Sequence, residues 1–252
     1  CLVIKLFWRN AMQNNLKAAI LAALLLAPAM SFAQEVAAVE EEESNFSANV
    51  GYVSDYVFRG ISQTSGGTSF FNSSAIQGGL DYSFGDSGFY VGTWASNVNY
   101  GGVGGPDLEI DLYGGYNTDF GDFVNFDVMV VAYNYVGADD SYGNINYAEL
   151  VTKFGFGEIV TLTLAYTPDY SNSGANVTYA NLGNSWDLGS SGIALDAGIG
   201  RTFGDPFNGD FTDWTVGLSR DFGPVNLGVH YYDTNLDFTA SDTIVASVKM
   251  EF

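Results

Sequence analysis

Histidine occurs once in this 252-residue chain, at His230, and cysteine once, at Cys1. A His-rich metal centre is therefore excluded. A Ser/His hydrolase exists only in outline, because Tyr231, Tyr232 and Asp233 beside the imidazole supply no nucleophile at an informative spacing. What the chain holds in quantity is carboxylate: 29 Asp and Glu against 8 Lys and Arg, a formal net charge of −21. Nucleic acid and anionic lipid surfaces are poor partners for such a polypeptide. Asp205, Asn208, Asp210 and Asp213 could offer oxygen ligands to calcium, yet their spacing does not match an EF-hand loop, and a solvated acidic loop is the default. GGVGG at 101–105 is Gly-rich, but no helix follows it, which argues against a phosphate cradle. No catalytic residue, cofactor or metal site is assigned. The strongest local motif is NVGYVSDYVFRGISQT, Asn49–Thr64. On an extended strand Asp55 and Arg59 share one face about 13 Å apart, which suits pairing with neighbouring strands rather than with each other. Two readings stay open for them, a charged constriction and a network that stiffens a wall.

These residues need elements to position them, and the turns supply the rhythm. Short Gly/acid turns recur at 85–88, 119–122, 155–158, 187–192 and 221–224, with starts 34, 36, 32 and 34 residues apart. Between them lie longer polar connections, at about 60–68, 97–107, 137–144, 169–176, 204–212 and 234–242. Alternating short and long connections mark antiparallel hairpins whose two ends face different surroundings. Each period holds two strands of roughly ten residues, the length of a tilted membrane-crossing strand. Twelve strands are predicted.

The strands carry a two-residue period. Leu108, Ile110 and Leu112 alternate with Glu109, Asp111 and Tyr113; Ile193, Leu195, Ala197 and Ile199 oppose Asp196; Trp214, Val216 and Leu218 alternate with Thr215, Gly217 and Ser219. The segment 124–135 is apolar on both faces, and Asp127 alone hints at its orientation. A soluble β-sandwich also alternates. An even strand count with short turns at one end argues for a membrane barrel instead, as do aromatic residues near strand ends: Tyr52, Tyr56, Phe58, Trp94, Trp186, Trp214, Phe222 and Phe252.

Both ends of the sequence point to the same compartment. From Met12 the chain reads MQNNLKAAILAALLLAPAMSFAQ, a basic residue, a short apolar run and a small-residue exit, which predicts a signal peptide over 12–33 cut before Gln34. Residues 1–11 read as a mis-set start, 34–45 as an acidic periplasmic tail, and 46–252 as the barrel. Cys1 leaves with the leader, as do Lys5, Arg9 and Lys17, so the mature charge is 5 − 29 = −24. The final ten residues, TIVASVKMEF, alternate strictly and end on Phe252, as the closing strand of an outer-membrane barrel does.

With the first strand rising from the periplasm, the long loops are extracellular. Ten acids then fall in or beside those loops, Asp213 among them. Eight face the lumen: Asp55, Asp81, Glu109, Asp111, Asp127, Glu149, Asp196 and Glu251. Arg59, Lys153 and Lys249 oppose them there, together with His230, and Lys249 and Glu251 are expected to meet the Asp55/Arg59 strand at the seam.

The segment Asn49–Thr64 resembles the signature of the TorF-type porin family, also known as Gcw_chp, of proteobacterial outer-membrane proteins; length, strand rhythm and ending agree over the mature chain. The resemblance implies an all-β, transmembrane, antiparallel up-and-down barrel in the outer membrane of a Gram-negative bacterium, with no catalytic residues to transfer. The function expected is a porin-like channel for passive diffusion of small hydrophilic solutes, leaning toward cations because an acid-rich lumen concentrates them. The alternative is a closed structural or surface-interaction barrel whose acidic loops bind a partner or lipopolysaccharide. A lipid hydrolase would need His230 beside a serine at the lipid face, and parity turns His230 inward. Expected partners are outer-membrane lipid and lipopolysaccharide, the barrel-assembly machinery through the strand ending in Phe252, and the solutes themselves.

Overall fold

A computed structural model describes residues 45–64, 73–100, 104–204, 207, 209–236 and 242–252. The expected leader and all but the last residue of the expected acidic tail lie outside them. In chain order the strands are β1 (Phe46–Val53), β2 (Val57–Phe58), β3 (Ile61–Ser62), β4 (Ala75–Ser83), β5 (Phe89–Asn97), β6 (Leu108–Phe120), β7 (Val124–Val136), β8 (Tyr147–Phe156), β9 (Val160–Thr167), β10 (Val177–Asp187), β11 (Ile193–Phe203), β12 (Phe211–Phe222), β13 (Val225–Thr234) and β14 (Thr243–Glu251). All but β2 and β3 form one closed antiparallel barrel, each strand beside its sequence neighbours. That is the predicted twelve-stranded, up-and-down barrel.

Closure is made by β1 against β14, in register from Asn49 opposite Glu251 to Val53 opposite Ser247. Phe252 N–H donates to the Ala48 carbonyl at 2.9 Å, and Ala48 N–H to the Phe252 carbonyl at 3.0 Å, extending the seam beyond the last strand residue. The short turns all sit at one end and the long connections at the other, as their spacing predicts. The tightness of the turn end shows at Gly88, where φ is +80° and a Cβ would stand 2.4 Å from the Asn117 carbonyl oxygen.

The barrel is inside-out relative to a soluble protein. Leu80, Leu112, Val130, Leu150, Leu182, Ile199, Val216 and Val229 are exposed around the outside, whereas the fully buried side chains include Glu149, Thr64, Thr167, Thr202 and Ser96. An apolar belt around a polar interior suits strands in hydrocarbon and rules out the sandwich reading, whose faces would be reversed. On β7 the ambiguous register resolves around Asp127: Asp127, Val131 and Tyr133 are buried inward, and Val130 and Val136 stand outside.

Inward rings are accommodated by glycines on the adjoining strand. Gly92 lies opposite Tyr113, and Gly115 opposite Tyr90. A Cβ at Gly92 would meet the Tyr113 ring at 2.4 Å, and one at Gly115 would meet the Tyr90 ring at 2.5 Å.

Val130 is at the middle of its strand on the outer face, so Val130→Arg places a charge near the bilayer midplane. A loss of about 2–4 kcal/mol is expected, read as a lowered urea midpoint of protein folded into liposomes.

Candidate functional site

The barrel lumen is crossed near its loop end by the segment that leaves β1. The strand predicted to run on through Asp55 and Arg59 stops at Val53, and residues 54–64 turn inward. The first long connection therefore begins at position 54 and not near 60. Ser54 marks the departure: its N–H donates to the Ala246 carbonyl and its Oγ accepts from Ala246 N–H, both at 2.9 Å. β2 and β3 then pair as a hairpin, Val57 opposite Ser62 and Phe58 opposite Ile61. Its turn is Arg59-Gly60, with φ of 49° and 74°. Two positive φ values match the two-residue turn whose twist suits a hairpin.

The hairpin is tied to itself at its base. Asp55 Oδ1 accepts from Ser62 Oγ at 2.5 Å and from Thr64 Oγ1 at 3.1 Å, and Gln63 N–H donates to the Tyr56 carbonyl at 2.6 Å. Its tip reaches much of the wall. Tyr56 meets the Trp94 ring of β5 edge-on at 5.5 Å, and Phe58 meets Tyr133 of β7 at 6.1 Å. Arg59 makes a two-pronged bond to Glu149 of β8, Nη1 to Oε1 at 2.9 Å and Nη2 to Oε2 at 2.7 Å. The same guanidinium lies 4.4 Å from the centre of the Tyr179 ring of β10 and 4.6 Å from that of Phe58. Burial works against the Arg59 charge, but Glu149 outweighs it and holds the group above its ordinary range. At Gly60 a Cβ would come within 2.7 Å of Asp213 Cβ on β12 and 3.0 Å of Thr234 Cβ on β13, so the turn is pressed against the far wall.

These contacts reassign several residues. Asp55 and Arg59 do not pair with each other, as expected, but both sit on the inner hairpin and neither belongs to a wall strand. β14 does meet β1, yet Lys249 pairs with Glu251 at 2.6 Å and not with Asp55 or Arg59. Tyr56, Phe58 and Trp94 are lumen residues and not part of an interfacial girdle. Asp213, read as a loop acid, faces inward and accepts from Tyr179 Oη at 3.2 Å. Its alternation with Thr215 and Gly217 on β12 could have placed it there.

The remaining inward charges occupy two levels. Around the hairpin are Glu109, Asp111, Glu149 and Asp213, all nearly inaccessible. Glu109 accepts from Tyr135 Oη at 2.9 Å, but its Oε2, Asp111 Oδ1 and Asp213 Oδ2 are buried without a hydrogen-bond partner among the described residues. Toward the turn end Asp127 accepts from Tyr90 Oη at 2.9 Å, Asp81 from Tyr113 Oη, and Asp196 lies 2.9 Å from His230 Nε2. His230 packs over Gly217 and faces the lumen, away from lipid. Lys153 lies opposite Asp127 on β8 and is exposed. Outside the bore, Arg201 pairs with Asp210 at 3.3 Å, and Asp205 and Asn208 lie outside the described residues. Among the described residues no His, Cys, Asp or Glu group of three is arranged to hold a metal.

Comparison with known proteins agrees with this architecture. The model of the Gcw_chp family, described as a bacterial protein of unknown function, matches residues 37–251; the match bears the Gcw_chp name and not the TorF one. No curated protein matches the chain. Among solved structures, a chain from a study of in-meso crystallization of membrane proteins superposes with a TM-score of 0.56 at 12% identity, over 82% of this chain and 83% of that one. The KdgM porin superposes with a TM-score of 0.50 at 9% identity, over 82% and 98%. KdgM in complex with disordered oligogalacturonate gives 0.50 at 8% identity over the same shares. At these identities the likeness is one of fold.

Replacing Arg59 by Met leaves Glu149, 1% exposed, as an unpaired buried carboxylate. The expected loss is about 3–5 kcal/mol, and the double variant Arg59→Met/Glu149→Leu should recover most of it. Urea unfolding of the refolded barrel and both variants measures this.

Proposed function

The chain belongs to the Gcw_chp family of bacterial proteins, and from the geometry of its barrel we propose that it is an outer-membrane channel of restricted bore, passing small hydrophilic solutes and favouring cations. The observation that carries this reading is the ring of inward carboxylates at the hairpin. Glu109, Asp111 and Asp213 each keep a buried oxygen without a partner among the described residues, and the nearby guanidinium of Arg59 is committed to Glu149. Such a level stabilises a passing cation and repels an anion. Below it the bore is lined by Asp81, Asp127, Asp196 and His230, which present further polar groups to a solute. The long loops face the exterior and the short turns the periplasm, with a cleaved leader and an acidic tail preceding the first strand. Transport is passive, with no cofactor.

One observation favours the alternative of a closed structural or surface-interaction barrel: the hairpin fills the loop end of the lumen from β5 round to β13. In that reading the acidic loops bind a partner or divalent-bridged lipopolysaccharide, and the interior serves rigidity alone.

Planar-bilayer recordings separate the two. The channel reading expects small, cation-selective currents from the refolded protein, and a severalfold larger conductance from Arg59→Ala/Glu149→Ala, which unlatches the hairpin. In a salt gradient, Asp111→Asn should shift the reversal potential toward lower cation selectivity. No current from either the parent or the unlatched barrel, with no liposome swelling, sinks the channel and leaves the closed barrel.

A further inference from the structure

Five Lys and Arg side chains lie among the described residues, and four of them are already placed. Arg59, Lys153 and Lys249 face inward, while Arg201, outward at the loop end, pairs with Asp210. The fifth is Arg220. It continues the lipid-facing row Trp214, Val216 and Leu218 of β12, is exposed, and lies opposite Ile193, the first residue of β11, and Leu227 of β13. Two residues later β12 ends at Phe222, one of a rim of exposed rings at the turn end with Phe46, Phe84, Phe89, Phe120 and Phe252. Arg220 therefore sits where hydrocarbon gives way to headgroups.

Its side chain leans toward the turns. Cζ stands 5.0 Å from the centre of the Phe222 ring, and Gly192 of the β10–β11 turn lies alongside, where a Cβ would be 3.7 Å from Nε and 3.9 Å from Nη2. Ring and turn hold the guanidinium at the rim. It makes no hydrogen bond or ion pair among the described residues. Its chain neighbour Asp221 points to the other face of the wall and accepts from Asn226 Nδ2 at 2.7 Å.

Location and surrounding charge decide what this guanidinium meets. The anions at that depth of a bilayer are lipid phosphates, whose oxygens match its fork of donors. The short turns around the same rim carry six exposed carboxylates, Asp86, Asp119, Asp122, Glu158, Asp187 and Asp221, none in an ion pair among the described residues. A headgroup of net negative charge meets one cation and an acidic rim; one that carries its own ammonium is complementary to both.

We propose that Arg220 docks the phosphate of a zwitterionic phospholipid, of the phosphoethanolamine class, whose ammonium faces the acidic turns. The site is on the outer wall and stands independently of conduction, since lipid binding is measured without a current.

The test is native mass spectrometry of the refolded full chain titrated with phosphatidylethanolamine, phosphatidylglycerol and diacylglycerol of the same acyl chains. Phosphatidylethanolamine is expected to bind about fivefold more tightly than diacylglycerol, the effect of one interfacial cation, and more tightly than phosphatidylglycerol. Arg220→Gln should bring it down to the diacylglycerol level, Arg220→Lys should retain most of the preference, and Arg201→Gln at the loop end should leave it unchanged. Heat-modifiable gel mobility reports that each variant is folded. Equal binding of phosphatidylethanolamine and diacylglycerol by the parent overturns the site, as does a preference that survives Arg220→Gln or is lost equally in Arg201→Gln. Phosphatidylglycerol bound as tightly as phosphatidylethanolamine overturns the headgroup class. A preference seen only in a variant carrying Glu35→Gln, Glu40→Gln, Glu41→Gln, Glu42→Gln and Glu43→Gln also overturns the proposal, because that acidic segment, and not lipid, then covers Arg220.

Discussion

Everything in this molecule follows from the closing of one sheet. In hydrocarbon an unpaired backbone N–H or C=O costs several kcal/mol, so an open edge is not tolerated and β1 must find β14. The register of that seam, from Asn49–Glu251 to Val53–Ser247, propagates around the barrel strand by strand. Because side chains alternate with period 2, it also decides for every strand which residues meet lipid and which meet the lumen. A slip of one residue on β14 would send Lys249 and Glu251 into the bilayer.

Closure creates a second problem inside. The inward positions bring Glu109, Asp111, Glu149 and Asp213 into one restricted level, where carboxylates repel one another at low dielectric. The hairpin answers part of it with a single guanidinium. Arg59 takes Glu149 in two-pronged fashion and lies against two ring faces. To do so it adopts φ of 49°, a conformation costing a non-glycine residue on the order of 1–3 kcal/mol. Charge-assisted hydrogen bonds offset a strain of that size. The neighbouring Gly60 has no side chain for a physical reason: Asp213 and Thr234 occupy the space where a Cβ would go.

The two ends of the bore differ as a result. The loop end is packed with rings and the hairpin, so Val131, Tyr133, Tyr147, Val151, Ala165 and Tyr179 form a buried apolar cluster inside an otherwise polar interior. The turn end lacks such a filling among the described residues and is lined by hydrogen-bonded acid pairs with Tyr90, Tyr113 and His230. A solute crossing this barrel would meet its restriction, its charge and its aromatic surface together at one level, near the mouth.

Strand number, strand order and the inward set of charges were legible in the sequence because they depend on local pattern: turn residues at regular spacing and strict alternation. Asp81, Glu109, Asp127, Glu149, Asp196 and His230 all face inward as parity places them. The hairpin was not legible. Asp55-Tyr-Val-Phe-Arg-Gly carries the same alternation as a wall strand, and Arg-Gly is not one of the Asn-Gly or Asp-Gly pairs that announce a tight turn. Its inward course is stabilised by Glu149, 90 residues away, and by Tyr179 and Asp213, which are farther still. Asp213 was misplaced for a related reason, since its proximity to a loop concealed its strand parity. The residues by themselves determined a closed, acid-lined barrel, because periodicity and turn chemistry are properties of neighbours in the chain. That a hairpin enters the loop end of that barrel was decided only by the tertiary structure, because the hairpin is held by partners brought near solely by closure.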